Sequence, residues 1–235
     1  MSRFIFTSRS GGVSNAPYNS FNLAMHVGDN PADVTQNRLQ LADDFKIPAT
    51  NLFFMNQVHG KKVIVIDEKS DSTFAPDADA LFTTRKDVAL VTLVADCIPL
   101  LLESPRAVAA VHVGRRGLAL DILREVLNLF ESCQIKSDEI SAHIGPSICV
   151  ECYEVDQDVY DEVVELVPAA SSSLKSASGK PCLDIESGLI SQLNSGGIKW
   201  ERLKKCTSHD DGYFSYRRDG ITGRQAGVIS LMGAL

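Results

Sequence analysis

Cys97 and His112 fall in one stretch, residues 88–117 (VALVTLVADCIPLLLESPRAVAAVHVGRRG), that reads as buried strands. Short Val, Leu and Ala runs bounded by Gly and Pro have that pattern. With the turn centred between Ser104 and Pro105, antiparallel pairing sets Cys97 opposite His112. Directly opposed Cβ atoms lie roughly 4.5–5.5 Å apart, close enough for a thiolate and an imidazole to share a metal ion. Pro99 cannot donate to a central ladder, so a bulge or break is expected beside Cys97. His59 stands at the corner between two further apolar runs, 52–58 and 62–67, where a lone histidine is more often a satisfied turn residue than a ligand. Catalytic zinc takes three protein ligands and leaves one position for water or substrate. A His, Cys, His set suits zinc better than calcium or magnesium. The same residues admit a second chemistry, in which Cys97 is a covalent nucleophile, His112 its base and Asp96 the group that orients the imidazole.

Other side chains draw attention for weaker reasons. Arg38 shares a helical face with Val34, Leu41, Ala42 and Phe45. An arginine on a core-facing stripe needs a partner, an anionic ligand or an edge to reach past. Asn22 and His26 lie in the long loop SRSGGVSNAPYNSFNLAMHVGDNP, and loops of such length inside a domain are often functional. Arg115 and Arg116 stand at the amino end of a helix, which would favour an anion. Cys149-Val-Glu-Cys152 admits half a structural zinc site, a redox pair or two buried thiols, and there is no second C-x-x-C to complete a four-cysteine site. The Ser178-Gly179-Lys180 ending lacks the upstream glycine spacing of a phosphate-binding loop.

The elements that must position these groups follow from the hydrophobic pattern. Strands are expected at 3–7, 52–58, 62–67, 80–83, 88–95, 98–102, 107–113, 139–144, 200–206 and 226–232, and helices at 32–45, 116–131, 155–167 and 184–194. Residues 168–180 read as a connector, and neither a repeat nor a linker divides the chain, so a single domain over 1–235 is expected. The net charge of −7 argues against nucleic-acid binding. The apolar windows are too short for a membrane span, and residues 1–12 lack the apolar core of a signal peptide. Six cysteines in a chain without a secretion signal point to reduced thiols and a cytoplasmic location.

Several stretches, taken in order, resemble one family. They are TSRSGGVSNAPYNSFNLAMHVGDNP, NQVHG, PDADALFTTR, ADCIPLLL, AVHVGRRG, IGPSICVECYEV and FSYRRDGITGR, and the likeness runs from about residue 4 to residue 232. They are similar to the YfiH-type proteins, the "polyphenol oxidase/laccase domain" family. The resemblance implies an α+β architecture, with helices packed outside two mixed β-sheets. It implies one zinc ion held by His59, Cys97 and His112, which would also be the catalytic set. It further implies a small-molecule substrate, with phosphorolysis of adenosine, inosine, guanosine and methylthioadenosine and deamination of adenosine. In a bacterial branch the implied activity is instead cell-wall precursor editing, a hydrolase reaction that removes L-serine from a muramyl nucleotide. Arg38, His26, Asn22, Asp96 and Arg116 are the expected substrate-binding residues. The family's name suggests copper, but five histidines are too few for a multicopper centre. The usual H-A-G-W-R-G reads His112-Val113-Gly114-Arg115-Arg116-Gly117 here, which would alter a wall of the pocket at Arg115.

Overall fold

Between Val94 and Ile98 the chain passes from one β-sheet to another, and Cys97 lies on that crossing. The computed structural model describes residues 2–231. Its strands are β1 (Ser2–Phe6), β2 (Leu52–Phe53), β3 (Val63–Val65), β4 (Ala80–Thr83), β5 (Ala89–Val94), β6 (Ile98–Glu103), β7 (Val108–Val113), β8 (Ser141–Ile144), β9 (Lys199–Arg202) and β10 (Gln225–Leu231). Its helices are α1 (Pro31–Phe45), α2 (Arg115–Ala119), α3 (Ile122–Ser132), α4 (Gln157–Leu166), α5 (Ile185–Ser195) and α6 (Tyr216–Asp219). One sheet has the order β1-β10-β5-β2 and the other β3-β4-β7-β6-β8-β9. Both are mixed, because β2 joins β5 in parallel, as β3 joins β4 and β8 joins β9, while the remaining pairs are antiparallel.

Side-chain alternation along the strands builds the layers. Leu101 and Ala110 face the other sheet and pack with Leu90, Met55 and Ile229. Leu100, Leu102, Ala109 and Val111 face the opposite way, onto Leu118 of α2, Val126 and Phe130 of α3, and Leu189 of α5. On the far side, Leu41, Ala42 and Phe45 of α1 cover Val91, Leu93 and Val228. The result is an α+β fold with helices outside two packed sheets.

The pairing of β6 with β7 differs from the expected register. The turn closes from the Ser104 N–H to the Ala107 carbonyl at 2.9 Å and is centred one residue later than expected, so His112 faces Pro99 and Cys97 precedes the strand. Pro99 neither bulges nor breaks β6. The His112 N–H donates instead to Asp79 O at 2.8 Å, which makes Pro99–His112 a pair that exchanges no hydrogen bonds.

Other boundaries moved for local reasons. The run 52–58 is a strand only over Leu52–Phe53, because the Gln57 side chain replaces backbone pairing: its amide donates to Leu93 O at 2.7 Å and accepts from Leu93 N at 2.9 Å. The helix expected over 116–131 is interrupted at Asp121, whose φ of 55° ends α2 and whose carboxyl caps α3 by accepting from Arg124 N. The strand expected over 200–206 is continuous only over Lys199–Arg202, after which Leu203 N donates to Ile144 O and Cys206 makes an isolated bridge with Ser147. Residue 232 of the last expected strand lies outside the described residues. No helix among the described residues is long and apolar enough to cross a membrane.

Leu101 is fully buried between the sheets. Leu101→Ala is expected to cost about 3 kcal/mol, seen as a lower urea midpoint with an unchanged slope.

Candidate functional site

The Asp79 carboxylate, at the entrance to β4, gathers groups from two other parts of the chain. Its Oδ1 accepts from His59 N at 3.0 Å and meets Nδ1 of His112 at 2.8 Å. Its Oδ2 accepts from Gly60 N at 2.6 Å and Val58 N at 3.3 Å. Burial alone would raise its pKa, but the bonds from His112 and Gly60 outweigh that and hold it below the usual carboxylate range. With Nδ1 engaged, His112 keeps Nε2 free to act as a ligand, an arrangement in which a carboxylate orients a metal-binding histidine. The two imidazoles lie edge to face with centroids 4.8 Å apart. His59 adopts a φ of 58°, a turn conformation that the bonds to Asp79 hold in place. Burial disfavours a charge on His112, yet Cys97 and Asp79 raise its pKa to about 9.

Cys97 arrives from the sheet crossing, where Asp96 has a φ of 101°. The Asp96 carboxylate accepts from the hydroxyls of Thr207 and Ser215, each at 2.7 Å, and from Arg217 N at 2.7 Å. Its own carbonyl accepts from Ile148 N at 2.9 Å. Donor atoms of His59, Cys97 and His112 lie within 4.8 Å of one another, a set able to hold a metal ion. Gly114, opposite Cys97 in the continued register, leaves room for them. A Cβ there would stand 2.8 Å from Nδ1 of His59 and 3.3 Å from the Cys97 sulfur.

These groups open into a cavity of about 560 Å³. Gln57, Ile148, Tyr153, Tyr216, Arg217 and Arg224 contribute to its wall, as does His26. Arg224 and Tyr153 are half-buried. Burial pulls the Arg224 pKa down and pushes that of Tyr153 up to about 12. The His26 pKa is lowered, first by burial and then by the charges of Arg224 and Arg38.

Residues 3–232 match the family model described as "Multi-copper polyphenol oxidoreductase laccase". The chain belongs to this YfiH-type family. It is 41% identical over 233 residues to a Corynebacterium glutamicum protein named purine nucleoside phosphorylase, covering 97% of this chain and 94% of that one. A Haemophilus influenzae protein of the same name is 36% identical, with 95% and 91% covered. Among solved structures, YlmD from Geobacillus stearothermophilus superposes with a TM-score of 0.89 at 31% identity, covering 99% of this chain and 92% of that one.

Several residues singled out in this YfiH-type sequence do not line the cavity. Asn22 is fully buried and structural. It donates to Ala24 O and Asp29 and accepts from Ala24 N and Arg224 N, so it fixes the backbone that carries Arg224. Arg38 is outside the lining. Its Nε donates to Leu23 O at 2.9 Å, and its guanidinium lies 3.7 Å from the centre of the Phe54 ring. Burial lowers its pKa to about 10, because no carboxylate among the described residues pairs with it. Arg116 is exposed on α2, a helix of five residues. Arg115 is also absent from the lining. Asp96 lines the cavity, but its oxygens are taken by Thr207, Ser215 and Arg217, and it is Asp79 that orients His112. Sequence reading passed over Asp79, although an acidic residue at the start of a strand beside a histidine strand was a usable signal. Arg224 and Tyr153 carried no such signal.

Asp79→Asn sets an amide N–H against donors whichever way it points. It is expected to cost about 3 kcal/mol and to weaken metal binding, read by urea unfolding and metal analysis. Gly114→Ala should leave the far-ultraviolet circular dichroism unchanged and lower metal content.

Proposed function

We propose that this protein is a zinc-dependent purine nucleoside phosphorylase, with His59, Cys97 and His112 as zinc ligands and catalytic set. The observation that carries the reading is the juxtaposition, in one cavity, of a three-donor set with cationic groups that have no carboxylate partner among the described residues. The relatives named purine nucleoside phosphorylase support it. So does the donor chemistry, since two imidazoles and one thiolate fit zinc and leave a position open. Copper oxidase chemistry is disfavoured by the other histidines. His143 is held between Glu103 and Glu201 and stacked on Phe4, and His209 belongs to a different cluster.

Zinc bound there supplies a Lewis acid and acidifies bound water. The chain's own groups do the rest. Arg224, with Arg38 adding charge from behind, attracts phosphate. His26, kept neutral at neutral pH by burial and by these arginines, accepts a hydrogen bond from a phosphate O–H. Tyr153 and Tyr216 offer flat faces to a purine. Phosphate oxygen then bonds to the sugar carbon as the bond from that carbon to the base nitrogen breaks, and the phosphate proton passes to that nitrogen, giving free base and sugar 1-phosphate. The cavity volume suits a nucleoside better than a muramyl nucleotide. Deamination of adenosine in the same cavity is the second reaction of this proposal.

Incubation with adenosine is expected to yield adenine and ribose 1-phosphate only when phosphate is present, with inosine marking deamination. Cys97→Ala should reduce turnover by at least about 100-fold, and Arg224→Ala should raise the KM for phosphate by about 10-fold. Full activity in Cys97→Ala, or turnover of a muramyl-serine nucleotide with none of adenosine, overturns the assignment.

A further inference from the structure

Cys149 and Cys152 do not stand alone. The segment after β9 brings Cys206 and His209 to them, and one donor atom from each of the four lies within 4.8 Å of the others. His209 Nε2 lies 3.0 Å from the Cys152 sulfur, and Nδ1 lies 3.9 Å from the Cys149 sulfur. The Cys149 N–H donates to the Cys206 sulfur at 3.3 Å, a bond suited to a sulfur that carries charge. The two segments are held in register by a bridge between Ser147 and Cys206, in which Thr207 N donates to Ser147 O at 3.0 Å. The spacing is C-x-x-C in one segment and C-x-x-H in the other.

We propose that Cys149, Cys152, Cys206 and His209 form a second zinc site, structural in kind. Three thiolates and an imidazole make a closed tetrahedral set with no position for substrate. A redox pair would use two of the sulfurs and leave the third and the imidazole without a role. None of the four lines the cavity that holds His59, Cys97 and His112. The site nevertheless braces that cavity. Ile148 precedes Cys149 and Tyr153 follows Cys152, and both are wall residues. Thr207, between Cys206 and His209, donates to the Asp96 carboxylate beside Cys97. Metal in this cluster would staple together two stretches far apart in sequence, each of which touches the wall or its support.

The inference is independent of the zinc proposed at His59, Cys97 and His112, and the test separates them. Protein equilibrated with zinc chloride and freed of excess is expected to carry two zinc ions per chain by native mass spectrometry and elemental analysis. The double variant His59→Ala, Cys97→Ala should keep one. Loaded with cobalt(II), that variant should show intense thiolate-to-cobalt charge-transfer absorption and the visible bands of a tetrahedral ion. His209→Ala, the mildest change because this ring is exposed, should lower zinc content by one ion per chain in the wild-type background. Chelation of the double variant should lower Tm by at least about 5 °C. A double variant that binds neither zinc nor cobalt overturns the proposal, as does a Cys149–Cys152 disulfide in freshly purified protein or an unchanged zinc count in His209→Ala.

Discussion

The arrangement turns on a buried carboxylate that must be satisfied. Asp79 has no access to water, and an ionised group in that position is tolerated only with its full complement of donors. Three backbone N–H groups from the 58–60 corner and one imidazole supply them. Meeting that demand locks His59 into a left-handed turn, fixes which nitrogen of His112 is free, and binds the start of β4 to the corner before β3. A residue with no place among the candidate metal donors thus decides where two of them stand.

The other half of the site is built differently. β5 and β6 belong to different sheets, and the short crossing between them carries Asp96 and Cys97. Here the carboxylate of Asp96 is held by hydroxyls and an N–H from residues 207–217, so the crossing is braced by the chain that leads into β10. Each carboxylate anchors one side of the donor set, and neither can exchange roles, since both oxygens of each are engaged. Packing between the sheets through Leu101, Leu90 and Ile229 then keeps the two halves at a constant distance.

Much of this was legible in the sequence where a signal is local. The buried strands from 88 to 113, the face of α1 and the apolar stripe of α3 follow from residue type and period. The family's ordered motifs identified the two-sheet architecture. Register was not legible at the precision required, because a turn centred one residue later moves each residue's cross-strand partner by two positions. The side-chain mimicry by Gln57 and the interruption at Asp121 were also hidden, as each depends on a hydrogen bond made only in the folded chain. Arg38 drew attention as a polar group on an inward face, and Asn22 as part of a long loop. Their partners are carbonyls, an aromatic face and backbone amides rather than the cavity. Arg224 and the grouping of Cys206 and His209 with Cys149 and Cys152 arise from contacts between segments distant in sequence, which periodicity cannot reveal.

The position of β10 has a consequence for how the molecule comes into being. This late strand lies between the earliest one, β1, and β5, so β1 has no neighbour in the sheet until the polypeptide has been made through Gln225 and beyond. Arg217 and Arg224 arrive on the same stretch, together with the hydroxyl of Ser215 that holds Asp96. During synthesis the six-stranded sheet and its helices can therefore collapse first, while the four-stranded sheet waits as an open edge. Contacts of such long sequence separation are slow to form, and unpaired strand edges are exposed to aggregation in the interval. Assembly of the cavity and closure of that edge become one event, so an emerging chain is vulnerable for as long as it is inactive, and no longer.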